Sequence, residues 1–404
     1  MIDNNFVKKI IIPGEYWDSF IYKKWLILES MDGTLRSYDW EKFITEELDY
    51  SNNELAYNCA FLQGNDLYRN TGKSILFKDS EVKNLLEEKF KRIKNIDIDY
   101  YRISRYATFN QPTEINNLTT DIGIYNDKLY YCNSDGVFCT NLSSRNINYV
   151  SRNINKIWDG YVQNLQVGNY GTIIMSAASD GLFDLITNEN YNDEHYYNTI
   201  GGKTIEHNIH QLSSNHSSYC SWSFSSILSG SFVDKSFMIG TEYKYNDNVK
   251  LKCGIIKEEK DIFNSSIKDG LLFSNNDKIY RLSKSKIEKV DFKQYQMNNK
   301  PFSNLEEQEY LFEDEVVSSA VSDFGLIVET TKQLLVFLSD NNKLVLADND
   351  EEEFITWRIF PRSKRYINQI HVVYDNRIEI ISVNSDYFVN QKKKFYGSSV
   401  HDLK

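Results

Sequence analysis

Histidine is unevenly distributed, because four of the six histidines lie between positions 195 and 216. His207 and His210 are three residues apart, so a helical turn would place both imidazoles on one side. A structural zinc site needs three or four such ligands, and the spacing here matches no established zinc motif. We interpret the stretch as a polar surface loop and predict no metal or other cofactor. The candidate ligands, if a metal is bound, are His207, His210 and His216.

A second set of candidates combines aromatic and basic residues, the types enriched in binding hot spots. Residues 357–366 read WRIFPRSKRY, and residues 219–224 read YCSWSF. Either segment can instead be a strand whose aromatic side chains fill a core. The predicted binding residues are Trp357, Arg358, Arg362, Lys364, Arg365, Tyr366, Tyr219 and Trp222.

The sequence contains fragments of catalytic motifs but no complete one. Gly72-Lys73-Ser74 and Gly202-Lys203-Thr204 each end like a phosphate-binding loop, yet the first glycine of that motif is missing from both. Asp323-Phe324-Gly325 spells a kinase tripeptide without the other kinase segments. Carboxylates are too numerous to single out a glycosidase pair. We therefore predict no catalytic residue.

The chain is acidic, with 46 Lys and Arg against 57 Asp and Glu and a net charge of −11. Surfaces that bind nucleic acid are usually basic, so nucleic acid is disfavoured as a partner but not excluded. Local basic runs occur at 362–365 and 392–394, and acidic runs occur at 306–315 and 348–353. Each run is interpreted as a solvated loop or, alternatively, as a docking surface.

The cysteines and the apolar segments bear on the compartment. The 5 cysteines include no CxxC pair, which favours reduced thiols in a cytoplasmic protein. The N-terminal segment lacks the features of a signal peptide, and no apolar run approaches the length of a membrane-spanning helix. We expect a cytoplasmic protein without a membrane segment.

Most of the chain alternates short apolar segments with Asn, Asp, Gly and Ser, which predicts β-strands joined by tight turns. Residues 270–292 and 325–348 share the order glycine, apolar strand, polar turn, apolar strand, polar turn and last strand. Similar strand pairs repeat at a spacing of roughly 50 residues, which is typical of propeller blades. The predicted pairs begin near 25, 59, 122, 171, 236, 270, 325 and 369.

Two segments break the strand pattern. Residues 80–94 carry apolar side chains at helical spacing, which predicts one inserted helix with Ser80 as its N-cap. Residues 187–218 are rich in Asn, His and Ser, and they predict a long loop.

The repeated units resemble β-propeller repeat proteins, which are broadly WD40-like in architecture. The resemblance implies an all-β, disc-shaped binding platform. We expect one domain over 1–404 with seven blades, six or eight being the alternatives, and a strand at 6–12 that completes the last blade. Two packed β-sandwich or barrel domains are the rival architecture.

The function that these patterns favour is a non-enzymatic protein-interaction scaffold, or a recognition subunit of a larger assembly. One alternative is a hydrolase or lyase with an acidic active site at the propeller channel. Another is carbohydrate or nucleic-acid binding by exposed aromatic residues. Protein partners are expected, and the oligomeric state is left open.

Overall fold

The computed structural model of the chain describes most of its residues. They are 6–64, 67, 75–108, 113–115, 117–125, 127–144, 147–148, 153–168, 172–187, 207–223, 226–231, 236–245, 248–267, 270–275, 278–293, 301–338, 343–384 and 396.

Short strands dominate the described residues, because β-branched and aromatic side chains alternate with turn-forming residues along the chain. In chain order the strands are β1 (Val7–Pro13), β2 (Tyr16–Tyr22), β3 (Trp25–Ser30), β4 (Thr34–Asp39), β5 (Ile96–Asp97), β6 (Thr113–Glu114), β7 (Asp121–Tyr125), β8 (Lys128–Asn133), β9 (Gly136–Asn141), β10 (Ser143–Ser144), β11 (Ile147–Asn148), β12 (Asn155–Asp159), β13 (Asn164–Val167), β14 (Thr172–Ser176), β15 (Leu182–Thr187), β16 (His207–Ser213), β17 (Tyr219–Ser223), β18 (Ser226–Gly230), β19 (Ser236–Tyr245), β20 (Asn248–Glu258), β21 (Leu271–Asn275), β22 (Lys278–Leu282), β23 (Lys286–Phe292), β24 (Phe302–Glu309), β25 (Val316–Ser322), β26 (Gly325–Thr330), β27 (Gln333–Leu338), β28 (Lys343–Asp348), β29 (Phe354–Ile359), β30 (Gln369–Tyr374) and β31 (Arg377–Val383).

Contacts divide the chain into two compact units. The terminal unit comprises Met1–Asn116, Arg145–Val150 and Phe312–Lys404, and the central unit comprises Asn117–Ser144 and Ser151–Leu311. The terminal unit contains the sheets β2-β3-β4-β6, β25-β26-β27-β28 and β29-β30-β31-β1-β5. The central unit contains the sheets β12-β9-β8-β7, β13-β14-β15-β16, β17-β18-β19-β20 and β21-β22-β23-β24.

The sheets are blade-like, but the predicted number of blades is wrong. Six of the described sheets are four-stranded antiparallel blades, rather than the seven that the sequence predicted. The remaining large sheet has five strands. It combines β1 from the start of the chain, β29, β30 and β31 from near its end, and β5 from the largely helical segment between β4 and β6, which we call the insertion. The prediction that 1–404 form a single domain stays a prediction.

The N-terminal strand is part of this five-stranded sheet. β1 runs antiparallel to β31, with Ile10 opposite Ile380 and Ile12 opposite Ile378. These four side chains are buried in the core of the terminal unit. On its other side β1 pairs in parallel with the short strand β5, so a segment of the insertion covers what would otherwise be an open sheet edge.

Tight turns connect neighbouring strands, and one of them requires glycine. Gly136 follows the turn between β8 and β9 with φ of 148°. A Cβ at this position would lie 2.0 Å from the carbonyl oxygen of Trp158. The side-chain-free backbone therefore lets β12 pair closely with β9.

Helices lie mainly between β4 and β6, and one of them was predicted. The segment expected at 80–94 forms a helix over Ser80–Arg92, with Asp79 rather than Ser80 as the N-cap because its carboxylate accepts from the Glu81 N–H. The strand pair predicted near 59 is wrong, since this segment is helical. The helical segments are α1 (Trp40–Glu47), α2 (Tyr50–Tyr57), a π-helix (Asn58–Leu62), a 3₁₀-helix (Leu76–Lys78), α3 (Ser80–Arg92), α4 (Tyr100–Ser104) and α5 (Glu259–Phe263).

The loop predicted over 187–218 is also partly wrong. His207–Ser213 form β16, which pairs antiparallel with β15. Residues 188–206 of the predicted loop lie outside the described residues.

The core of the terminal unit joins helices to sheets. Trp40 and Phe43 of α1 stack at 5.5 Å between ring centroids, and Phe61 meets Trp40 edge-on at 6.4 Å. Leu86 and Phe90 of α3 pack into the same cluster as Ile10 and Ile12. The helical insertion is therefore part of the hydrophobic core of this unit.

The buried face of β1 gives a test of its contribution to stability. We expect Ile10→Ala to lower the free energy of unfolding by roughly 2–5 kcal/mol, because it removes a fully buried side chain and leaves a cavity. Ile11→Ala is the matched control, since Ile11 lies on the other face of the same strand and is only half-buried. Denaturant unfolding of the full chain would measure both. Equal losses in the two variants would contradict the assignment of the buried face.

Candidate interaction surface

The predicted binding segment 357–366 begins in the last residues of β29 in the terminal unit. Trp357, Arg358 and Ile359 belong to β29, and the remaining residues form the connection that leads to β30. Trp357 donates its indole N–H to Glu329 at 2.8 Å and packs against a core cluster. Its ring therefore has a structural role.

Arg358 joins two sheets of the terminal unit. Its Nε donates to Oδ1 of Asp18 at 3.1 Å and one terminal nitrogen donates to Oδ2 at 2.5 Å, so the pair is bidentate. The guanidinium also lies 5.4 Å from the ring centroid of Phe20. Asp18 and Phe20 are in β2, and the ion pair therefore fixes β29 beside β2.

A serine–histidine pair lies behind this ion pair. Ser19 Oγ is 2.7 Å from Nδ1 of His371, and the imidazole meets the Phe360 ring at 4.7 Å. Such a pair can activate a nucleophile when the serine can reach a substrate. Here Ser19 is 1% exposed and His371 is 0% exposed, so the pair is part of the packed interior.

The basic part of the predicted segment is at the surface. Arg362 and Lys364 are exposed, and Arg365 is half-buried with a terminal nitrogen 3.8 Å from Glu41. The hydroxyl of Ser363 accepts from the backbone N–H groups of Arg365 and Tyr366 at 3.1 and 2.9 Å. This local hydrogen bonding fixes the turn that carries the three basic side chains.

Tyr366 anchors that turn to a second one. Its ring is buried, and its hydroxyl donates to the backbone carbonyl of Lys23 in the turn between β2 and β3. Burial raises the pKa of the Tyr366 phenol, so the hydroxyl keeps its proton and remains a donor at neutral pH. Tyr366 therefore positions the two turns relative to each other, and its predicted role in binding stays a prediction.

The turn that Tyr366 contacts adds basic residues which the sequence patterns did not single out. Lys23 is exposed with φ of 51°, and its ammonium lies 5.4 Å from the Tyr22 ring centroid. Lys24 lies 4.6 Å from the Trp25 ring centroid and 3.2 Å from Asp39. The signal was present, because residues 22–25 read YKKW and combine aromatic with basic residues as 357–366 do.

Together these side chains form one surface, which we name the loop patch. It is built on two neighbouring turns of the terminal unit that are held by Tyr366, and it is basic although the chain carries a net charge of −11. Lysine and arginine at this density can bind carboxylates or phosphates. The loop patch consists of Lys23, Lys24, Arg362, Lys364 and Arg365.

The second predicted binding segment lies in the central unit. Tyr219 is in β17, where it is half-buried, and burial raises the pKa of its phenol. Trp222 is in the same strand opposite Ile227, and its side chain lies outside the described residues. The Tyr219 ring packs against the cluster around Leu228 and Leu272, which indicates a core role.

The candidate metal ligands are not brought together where the structure describes them. His210 Nδ1 is 3.2 Å from the carboxylate of Asp184, whereas His216 Nδ1 is 2.9 Å from the hydroxyl of Ser231. The side chain of His207 lies outside the described residues. Within the described part of the chain, no group of three His, Cys, Asp or Glu side chains could hold a metal ion.

The acidic runs are partly paired. In the central unit Glu306 binds Lys289 at 3.1 Å, and Glu307 binds Lys286 at 3.3 Å. In the terminal unit Glu352 accepts from Arg377 at 2.6 Å. These carboxylates are therefore engaged within the chain.

Comparison with solved structures identifies the architecture. The chain is similar to the β-propeller domain of Cps50 (Swd1) from Myceliophteria thermophila, with a TM-score of 0.50 and 10% identity over 92% of this chain and 96% of that chain. The chain has a β-propeller fold. Similarity also extends to a functionally unknown protein from Desulfotomaculum acetoxidans DSM 771, with a TM-score of 0.46 and 10% identity over 82% of this chain and 85% of that chain.

Sequence comparisons add no family to this propeller. Neither a family model nor a curated protein matches the chain. Among the described residues, no helix combines the length and the apolar character needed to cross a membrane.

The buried histidine of the propeller predicts a pH dependence. Burial, and to a smaller extent the nearby Arg358 guanidinium, lowers the pKa of His371 to about 3. An unfolded histidine has a pKa of about 6.5, so the unfolded state takes up a proton first as the pH falls. Stability is therefore lost from about pH 6.5 downwards, by roughly 2 kcal/mol between pH 7 and 5.

Unfolding curves of His371→Gln between pH 7 and 5 would test this. We expect the variant to lose most of the pH dependence, because glutamine takes up no proton. His216→Gln is the matched control, since His216 bonds the neutral hydroxyl of Ser231 rather than a carboxylate, and it should keep the dependence. An unchanged slope in His371→Gln would show that other groups cause it.

Proposed function

We propose that this propeller is a non-enzymatic protein-interaction scaffold, or a recognition subunit of a larger assembly, and that the loop patch contacts a partner. The observation that carries the proposal is the exposure of Arg362 and Lys364 on a turn whose backbone is held by hydrogen bonds of Ser363 and Tyr366. Less conformational entropy is lost on binding when the backbone of the binding loop is already ordered.

The contacts inside the unit indicate that some residues of the segment position the turn while others are available at its surface. Arg358 and Tyr366 engage Asp18 and the Lys23 carbonyl, and the basic side chains beside them lie at the surface. Rigid scaffolds commonly carry their binding residues on such connecting turns. The propeller fold adds only an analogy, since propellers present many varied loops, and the loop patch is what favours binding.

The proposal includes a cytoplasmic location. In the described residues Cys59, Cys132, Cys139 and Cys220 are buried thiols outside any disulfide. Burial raises the pKa of the Cys220 thiol, so it is protonated and unreactive at neutral pH. Reduced cysteines of this kind suit a reducing compartment.

Capture and reconstitution would test the scaffold function. Proteins that co-purify with the tagged full-length chain from its source cells would be identified, expressed and mixed with the pure chain. We expect at least one to form a complex whose Kd rises about tenfold or more in R362E/K364E, because several charge-assisted contacts are reversed.

The matched control is K284E/K293E, which makes the same change of charge at exposed lysines of the central unit. This variant should keep the affinity within about twofold. Failure of every reconstituted pair, or equal weakening by both double variants, would contradict the proposal. Circular dichroism and thermal unfolding of each variant would establish that it is folded.

A further inference from the structure

The loop patch carries information about the chemistry of its partner. Lys24 and Arg365 of the patch bind carboxylates of the same chain: Lys24 binds Asp39 at 3.2 Å, and Arg365 lies 3.8 Å from Glu41. All four side chains are at least partly exposed, so these are weak surface pairs. The patch therefore has the geometry to hold carboxylates, and a stronger external ligand can displace those of the chain.

The aromatic rings beside the loop patch, Tyr22 and Trp25, are arranged differently from a nucleobase-binding platform. Lys24 places its ammonium 4.6 Å from the Trp25 ring centroid, and Lys23 places its ammonium 5.4 Å from the Tyr22 ring centroid. Single-stranded nucleic acid is bound largely by stacking bases on open ring faces. Here the cations occupy positions over the rings, and the cation–π contacts hold the ammonium groups in place.

The net charge of the whole chain also favours an acidic peptide over a nucleic acid as the ligand. A nucleic acid extends its phosphates far beyond a patch of two turns, and a chain with a net charge of −11 repels such a ligand. A peptide whose few carboxylates are flanked by uncharged residues can place all of them over the patch. Surface charges farther away than the Debye length, about 8 Å at physiological salt, are largely screened.

We propose that the loop patch binds an acidic peptide segment of a partner protein, whose carboxylates pair with Arg362, Lys364 and Arg365 and with the lysines of the neighbouring turn. This inference rests on the proposed scaffold function and names its partner class. The intramolecular carboxylate of Glu41 competes with the peptide for Arg365.

The probe is a labelled ten-residue peptide with four central Glu and Asp residues and uncharged residues on either side, and the same peptide with Gln and Asn at those four positions is the neutral control. Fluorescence anisotropy with the full chain should detect binding of the acidic peptide alone, weakening as salt is added. R362E/K364E should weaken it about tenfold or more, whereas K284E/K293E should leave it within about twofold.

A gain of affinity makes the test sharper than losses alone. Glu41→Gln should tighten peptide binding about two- to fivefold, because it releases Arg365 from its own carboxylate. Glu46→Gln is the matched control on the same helix, since Glu46 is similarly exposed and pairs with Lys42 at 3.9 Å. The affinity of the Glu46→Gln variant for the acidic peptide should equal that of the unchanged chain.

Three results would overturn the inference. The first is that the acidic peptide does not bind at low salt, and the second is that both charge-reversal variants weaken its binding equally. The third is that a ten-nucleotide oligo(dT) binds more tightly than the acidic peptide and that R362E/K364E abolishes this binding. The last result would identify nucleic acid as the ligand.

If a reconstituted protein complex persists while the peptide fails to bind, the acidic-segment inference fails and the scaffold function stands. If the peptide binds but no protein complex forms, the scaffold function fails and the carboxylate specificity of the loop patch stands.

Discussion

The two turns of the loop patch depend on the bidentate ion pair between Arg358 and Asp18, because this pair joins the strands β29 and β2 that lead into them. Asp18 is 6% exposed, and its Oδ1 also accepts the backbone N–H of Ser19 at 2.7 Å. A buried carboxylate is costly unless donors surround it, and removing one partner of such a pair is strongly destabilising. The ion pair thus holds β2 of one sheet beside β29 of the next, and each charged side chain is withdrawn from solvent only because the other sheet supplies its partner.

The central unit repeats this arrangement with different chemistry. Asp121 in β7 accepts the N–H of its own neighbour Ile122 at 2.8 Å, as Asp18 does with Ser19. Its other oxygen accepts from the backbone N–H of Leu165 and the amide of Asn164 in β13, at 2.9 and 2.8 Å. Neighbouring blades are therefore linked by a polar side chain of the first strand, while hydrophobic side chains fill the space between the sheets.

Sequence patterns predicted the strands well where local chemistry determines them, and failed where distant residues decide. The run Cys59–Leu62 is apolar and short, so its periodicity cannot distinguish a strand from a buried helix. The structure makes it a π-helix whose carbonyls accept from donors far away in the chain: Asn368 Nδ2 to Cys59 at 3.0 Å, Ser382 Oγ to Ala60 at 2.7 Å and Trp40 Nε1 to Phe61 at 3.0 Å. No local signal contains these bonds.

The candidate surface shows the same limit at the level of single side chains. Composition singled out 357–366 for its mixture of Arg, Lys and aromatic residues, but it could not separate Arg358, which is partly buried against Asp18, from Arg362, which is exposed. That distinction depends on position, because Arg358 is inside a strand and Arg362 is in a turn. Net charge is equally incomplete as a guide: Glu306 is paired with Lys289 inside the central unit, so part of the acidic excess is neutralised locally. Since screening shortens the reach of the remaining charges to about 8 Å, the local arrangement of basic side chains on two joined turns, rather than the total of −11, determines which ligand the surface attracts.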